Sequence, residues 1–142
     1  MRMLVLDTNH LTELERGTSA PAMRLLGRLR AAAEESATTI VSVEEQLTGR
    51  IAQIRAQREL RHQPPSYQRL QQHIEFFAAW LVLPFDDEAA RLAASFRSQG
   101  IRIGTMDLKI AAITLVHGAM LLTRNTVDFA QVPGLRFANW LD

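Results

Sequence analysis

Four short runs along the chain are apolar or β-branched almost throughout: Met3–Leu6, Thr38–Val43, Leu81–Phe85 and Ala119–Thr123. Apolarity that continues rather than alternates is what a strand covered on both faces requires. Between these runs the apolar positions recur every three to four residues, the spacing of a helix that buries one face. That spacing predicts helices over Ala20–Ala33, Val43–Arg61, Ser66–Ala79, Asp86–Ser98 and Met106–His117. Pro64-Pro65 divides the second from the third, because proline lacks an N–H and suits only a first helical turn. Asp86 has the chemistry of an N-cap, with Asp87 and Glu88 as first-turn acids. Gly100 and Gly118 stand where helices must stop. The turn Pro133-Gly134 introduces a further short edge strand, Leu135–Ala138.

Strands that alternate with helices need crossover connections, so the expected architecture is α/β: a mainly parallel sheet with helices on both faces. No linker, repeat or low-complexity tract interrupts residues 1–142, which reads as a single domain. With 47% hydrophobic and 22% charged residues the composition is ordinary for a globular chain and excludes a disordered one. The absence of cysteine rules out disulfides and thiolate metal sites, and suits a reducing cytoplasm. The apolar start is too short for a signal peptide, and no run approaches the ~20 residues of a membrane span, so no membrane partner is expected. A net charge of +1 conceals one local bias: Arg50, Arg55, Arg58, Arg61 and Arg69 share a stretch whose single acid is Glu59.

The acids that follow the strands are the candidate chemistry. Asp7 comes directly after the first run, where it can cap the next helix or face a ligand at the C-terminal edge of a parallel sheet. Glu44 and Glu45 follow the second run at a helix start, where acids compensate the helix dipole. Glu44 lies nearer the stripe Leu47, Ile51 and Ile54, while Glu45 turns further towards solvent or a cleft, and periodicity leaves both open. Asp107 stands two residues after Thr105, the expected cap of its helix. Thr123, Asn125 and Asp128 close the fourth run. In a parallel sheet Asp7, Glu45 and Asn125 or Asp128 converge on one edge, and Asp107 reaches it if its helix starts nearby. Gathered carboxylates repel unless a proton or a cation neutralises them. A set of hard oxygens favours Mg²⁺ or Mn²⁺ over zinc and suits metal-assisted phosphodiester hydrolysis.

Other features carry less. His117 ends a helix beside Gly118, where a cation is favoured, while His10, His62 and His73 have no ligand spacing and are expected at the surface or in the core. No Gly-rich phosphate loop supports a nucleotide binder. Asp7 lacks the acidic neighbour that a phosphoacceptor receiver domain would want.

The stretches LVLDTNHLTEL, IVSVEEQLTGR, GTMDLKIAAITL and LLTRNTVDFAQVPGLRFANW, in that order along the chain, resemble the PIN-domain ribonucleases and, within them, the VapC-type toxins of bacterial toxin–antitoxin pairs. The resemblance implies a PIN-like, flavodoxin-like three-layer α/β/α domain with a parallel sheet of four to five strands. It also implies a Mg²⁺- or Mn²⁺-dependent endoribonuclease acting on RNA, a cognate antitoxin and a homodimer. Asp7 matches the first acid of the family motif, and Ser42 and Gly49 flank the second so as to select Glu45. Asp107 matches the third, which makes Asp7, Glu45 and Asp107 the implied metal ligands. Asn125 stands where the family often has Asp, with Asp128 close by, so a second ion would be held weakly. Thr123 matches a hydroxyl that orients water or phosphate. The arginines would attract the RNA backbone or else form a solvated face. The alternative is a catalytically degenerate PIN-like protein that binds RNA or antitoxin only, and Asn125 is its support.

Overall fold

The computed structural model describes residues 2–142. Among them β1 (Met3–Leu6), β2 (Glu35–Thr39), β3 (Leu81–Leu83), β4 (Met120–Leu122) and β5 (Arg136–Ala138) form one sheet in the order β3-β2-β1-β4-β5. Every pairing is parallel. The crossovers are made by α1 (Thr8–Arg16), α2 (Ala20–Ala32), α3 (Ile40–Ala56), α4 (Pro64–Ala78), α5 (Asp87–Ser98) and α6 (Thr105–Val116), and a short α7 (Thr126–Phe129) links β4 to β5.

The pleat of the central strands divides the core in two. Leu4 and Leu6 point to a cluster with Leu11, Leu25, Phe77 and Leu141, whereas Val5 between them joins Phe96, Ile110 and Ile113 on the other face. Leu121 and Leu122 repeat the division on β4. Helices therefore cover both faces, and the three-layer α/β/α expectation holds with five strands. α6 is buried nearly all round, from Leu108 to Thr114, which explains a sequence without a polar face there.

Some boundaries differ from the sequence reading. The second strand is not Thr38–Val43: Thr39 Oγ1 accepts the Ser42 N–H at 3.1 Å and caps α3, so Ile40–Val43 form its first turn. β-branched apolar residues there mimic a strand. Glu44 and Glu45 consequently sit in the second turn rather than beginning the helix. α3 ends at Ala56 instead of Arg61, and a one-turn 3₁₀ segment, Leu60–His62, precedes α4. β3 stops at Leu83 because Pro84 has no N–H for the ladder.

β1 lies between β2 on one side and β4 on the other, so successive connections leave it in opposite directions. A crevice opens beyond the strand ends at such a point, the usual ligand position in open α/β sheets. Asp7 and Thr123, the residues after β1 and β4, stand there.

Candidate active site

Asp7 is both cap and site residue. Its Oδ1 accepts the Thr8 N–H at 2.8 Å, and its Oδ2 accepts the Thr123 hydroxyl at 2.8 Å. The side chain is held in place, with the residue only 6% exposed. Burial raises its carboxyl above the ordinary range, while the hydrogen bonds from Thr8 and Thr123 act in the opposite direction. Thr123 Oγ1 in turn accepts the Asn125 N–H at 3.0 Å, so one buried hydroxyl ties the ends of β1 and β4 to the following loop.

Of the two glutamates, Glu44 is exposed and Glu45 is half-buried. Burial raises the Glu45 carboxyl first, and the charges of Asp7, Asp107 and Glu44 raise it further. Asp107 belongs to the first turn of α6, whose cap is Gly104 rather than the expected Thr105; among the described residues no side chain caps this helix. Burial, then Asp7 and Asp128, raise the Asp107 carboxyl, and a hydrogen bond from Asn125 lowers it. Three acids from three separate elements thus share one electrostatic field at the switch point.

Asn125 is oriented by these acids. Its Nδ2 donates to Asp107 Oδ2 at 3.1 Å and to Asp128 Oδ2 at 3.0 Å. Two carboxylate acceptors fix the amide with its NH₂ between them. Asn125 therefore presents a donor to the acids here, where a weak hold on a second ion was the expectation. It separates two like charges in the way a bridging proton donor does.

The donor chemistry fits a hard divalent ion: carboxylate oxygens whose charges disfavour one another, with no soft ligand among them. The arrangement is nevertheless loose. Among the described residues no three His, Asp or Glu side chains are gathered so that they could hold a metal ion together. Asp7, Glu45 and Asp107 are neighbours in the field, not a closed cage. Mg²⁺ retains several of its waters and is commonly bound through one or two carboxylates plus substrate phosphate, which such an arrangement suits. The buried Thr8 hydroxyl nearby has no hydrogen-bond partner among the described residues. Thr8 lines a cleft of about 220 Å³ together with Glu45, Gly49 and Arg50.

Of the arginines expected either to attract RNA or to form a solvated face, Arg50 lines the cleft with Glu45. Arg55 lines a separate cleft with Ile51 and Ala52, and Arg58, Arg61 and Arg69 are exposed, with Arg61 paired to Glu59 at 3.4 Å. His10 and His73 are in the core and His62 and His117 at the surface. The sequence reading missed what His73 touches. Its Nε2 lies 2.8 Å from Glu15 Oε2, and its Nδ1 lies 2.9 Å from Arg50 Nε. No local pattern signals a contact among residues from α1, α3 and α4.

A family model described as PIN domain matches residues 4–135. The chain belongs to the PIN-domain family. Across 96% of each chain this PIN domain is 33% identical to the VapC ribonuclease Y4jK of Sinorhizobium fredii. It is 43% identical over 58 residues to Ribonuclease VapC1 of Rickettsia felis, a match spanning 38% of this chain and 43% of that protein. Among solved structures, VapBC2 from Rickettsia felis bound to a promoter DNA fragment shares the fold with a TM-score of 0.71 at 20% identity, covering 97% and 98% of the two chains. FitAcB from Neisseria gonorrhoeae gives a TM-score of 0.67 at 26% identity, covering 96% and 97%.

Proposed function

We propose that this PIN domain, a single domain over its length, is a divalent-metal-dependent endoribonuclease and the toxin of a type II toxin–antitoxin pair. The observation that carries the reading is the hydrogen-bonded chain at the switch point of the sheet, which runs from Asp7 through Thr123 to Asn125 and on to Asp107, with Glu45 close enough for the charges of Asp7 and Asp107 to raise its carboxyl. The VapC ribonucleases similar to this chain support RNA as the substrate. Solved neighbours that are toxin–antitoxin complexes support an antitoxin partner. We further propose a homodimer and a cytoplasmic location; among the described residues no helix is long and apolar enough to cross a membrane. Exposed Ile40, Ile51, Leu60, Tyr67 and Ile74 on and between α3 and α4 offer apolar surface for association.

Of Asp7, Glu45 and Asp107, one or two would bind the ion directly and the rest would act through its waters. Bound there, Mg²⁺ or Mn²⁺ would polarise the scissile phosphodiester and make water a stronger nucleophile at neutral pH. The protein's own part is orientation and charge. Thr123 and the Thr8 N–H fix the Asp7 carboxylate, and Asn125 holds Asp107 and Asp128 apart. Carboxyls raised by burial and mutual repulsion gain from cation binding, because the ion removes the repulsion.

The test is RNA cleavage with and without Mg²⁺, alongside Asp7→Asn. Asp7→Asn should lower metal-dependent cleavage, relative to the parent, by more than the ten- to hundredfold typical of losing an outer-sphere partner. Unchanged cleavage by the variant rejects the assignment. The degenerate alternative draws on the loose ligand set and on Asn125. It predicts no uptake of Mn²⁺ at millimolar concentration and no cleavage under any metal.

A further inference from the structure

Arg50 belongs to two clefts at once. It lines the one shared by Thr8 and Glu45, and a neighbouring one of about 150 Å³ with Thr12, Glu15, Arg16 and His73. Behind it lies a polar chain built on one buried histidine. His73, 2% exposed, has Glu15 Oε2 at 2.8 Å from Nε2 and the Arg50 Nε–H at 2.9 Å from Nδ1. A guanidinium only donates, so Nδ1 must accept, and Nε2 must then carry the proton that Glu15 receives. Both partners demand the same neutral tautomer, and the imidazole is locked between α1 and α3.

The lock fixes one edge of the guanidinium and leaves the rest available. Arg50 Nε is spent on His73 and one Nη1 hydrogen on Gln53 Oε1 at 3.1 Å. Of five N–H donors, three remain without a protein acceptor among the described residues. No carboxylate there forms an ion pair with Arg50. Arginine is the side chain best matched to a phosphate, and its fork loses less freedom on binding when one edge is already held.

We infer that Arg50 anchors a backbone phosphate of the RNA beside the scissile bond, and that Glu15 and His73 are positioning residues that aim it. The assignment rests on the endoribonuclease reading and deepens it, dividing the site into an acidic half that cuts and a guanidinium that holds. Its signature is in binding. Arg50→Ala should raise KM about ten- to a hundredfold, the range for a hydrogen bond to a charged group, with kcat within about threefold. The slope of log affinity against log salt for a non-cleavable single-stranded RNA should shrink by about 0.7, one phosphate's worth.

The histidine variants separate aiming from packing. Asparagine places an oxygen near the Nδ1 position and can still accept from Arg50, whereas glutamine reaches the Nε2 position and serves Glu15 only. His73→Asn should keep most of the parent affinity and salt slope, and His73→Gln should approach Arg50→Ala. Thermal melting of each variant reports folding, and Arg50→Lys, which keeps charge without the fork, should recover part of the affinity. Equal KM and salt slope in Arg50→Ala and parent, with RNA still cut, overturn the inference alone. Identical behaviour of the two folded histidine variants overturns the positioning role. A parent that neither cuts nor binds RNA overturns the nuclease reading and this assignment with it.

Discussion

Asp7 caps α1 and opens the acidic site with the same carboxylate, and its two roles make opposite demands. The cap and the Thr123 hydroxyl favour the ionised form, while burial opposes it more strongly. Since its pKa is raised on folding, the charge costs stability above the ordinary carboxyl range, and that cost disappears as pH falls through the folded pKa. Asp7→Asn should therefore melt no lower than the parent at pH 7: its amide oxygen can accept from Thr8 and its NH₂ can donate to Thr123. A lowered melting temperature would mean that the charge is compensated. Thr123→Val is the companion test. It keeps the shape but removes the donor to Asp7 and the acceptor for the Asn125 N–H. Cleavage should fall about ten- to hundredfold, the usual effect of losing a group that orients a metal ligand.

At the scale of elements, capping chemistry decided several boundaries. Asp86 Oδ1 accepts the Ala89 N–H at 2.9 Å, as expected of the residue before α5. Asp86→Ala should cost about 1 kcal/mol by chemical denaturation and leave cleavage unchanged, since the densest acidic run of the chain serves a helix. Thr39 shows the converse. It sits in a β-branched stretch whose propensity points to a strand, yet its hydroxyl caps α3 and turns Ile40–Val43 into helix. Propensity was outweighed by one local hydrogen bond and by the packing of Val41 in the core. α7 escaped the sequence reading because four residues are too few for a helical period to register.

At the scale of the molecule, the C-terminal segment closes over α1 through His10. This side chain is fully buried; its Nε2 accepts the Trp140 N–H at 3.2 Å, and its Nδ1 donates to Asn9 Oδ1 at 2.9 Å. Arg24 Nη2 donates to the Leu141 carbonyl at 2.9 Å, and Leu141 fills the core beside Leu4 and Leu6. Burial, with a smaller push from Arg124, lowers the His10 pKa to about 4 from its ordinary 6.5. A depressed histidine binds protons less readily folded than unfolded, so stability is full above pH 6.5 and is lost as pH falls towards 4. The loss reaches about 3 kcal/mol. The buried carboxyls of the site titrate with the opposite sign, so the comparison needed is melting temperature against pH for the parent and for His10→Gln. The gap between the two curves should shrink below pH 6.5; a constant gap would reject the linkage.

The sequence by itself determined the alternation of strands and helices, the parallel sheet, and the order of the acids Asp7, Glu45 and Asp107. Each of these follows from local periodicity, turn chemistry or short motifs that neighbouring residues carry, with Glu45 chosen over Glu44 by the family resemblance. Only the tertiary structure decided that Asn125 turns its NH₂ to the acids, that Arg50 alone of the arginine-rich stretch reaches the Glu45 cleft, and that Glu15 and His73 stand behind it. Those outcomes depend on contacts between distant elements, where orientation is set by the donors and acceptors that packing brings together. No spacing along the chain encodes that.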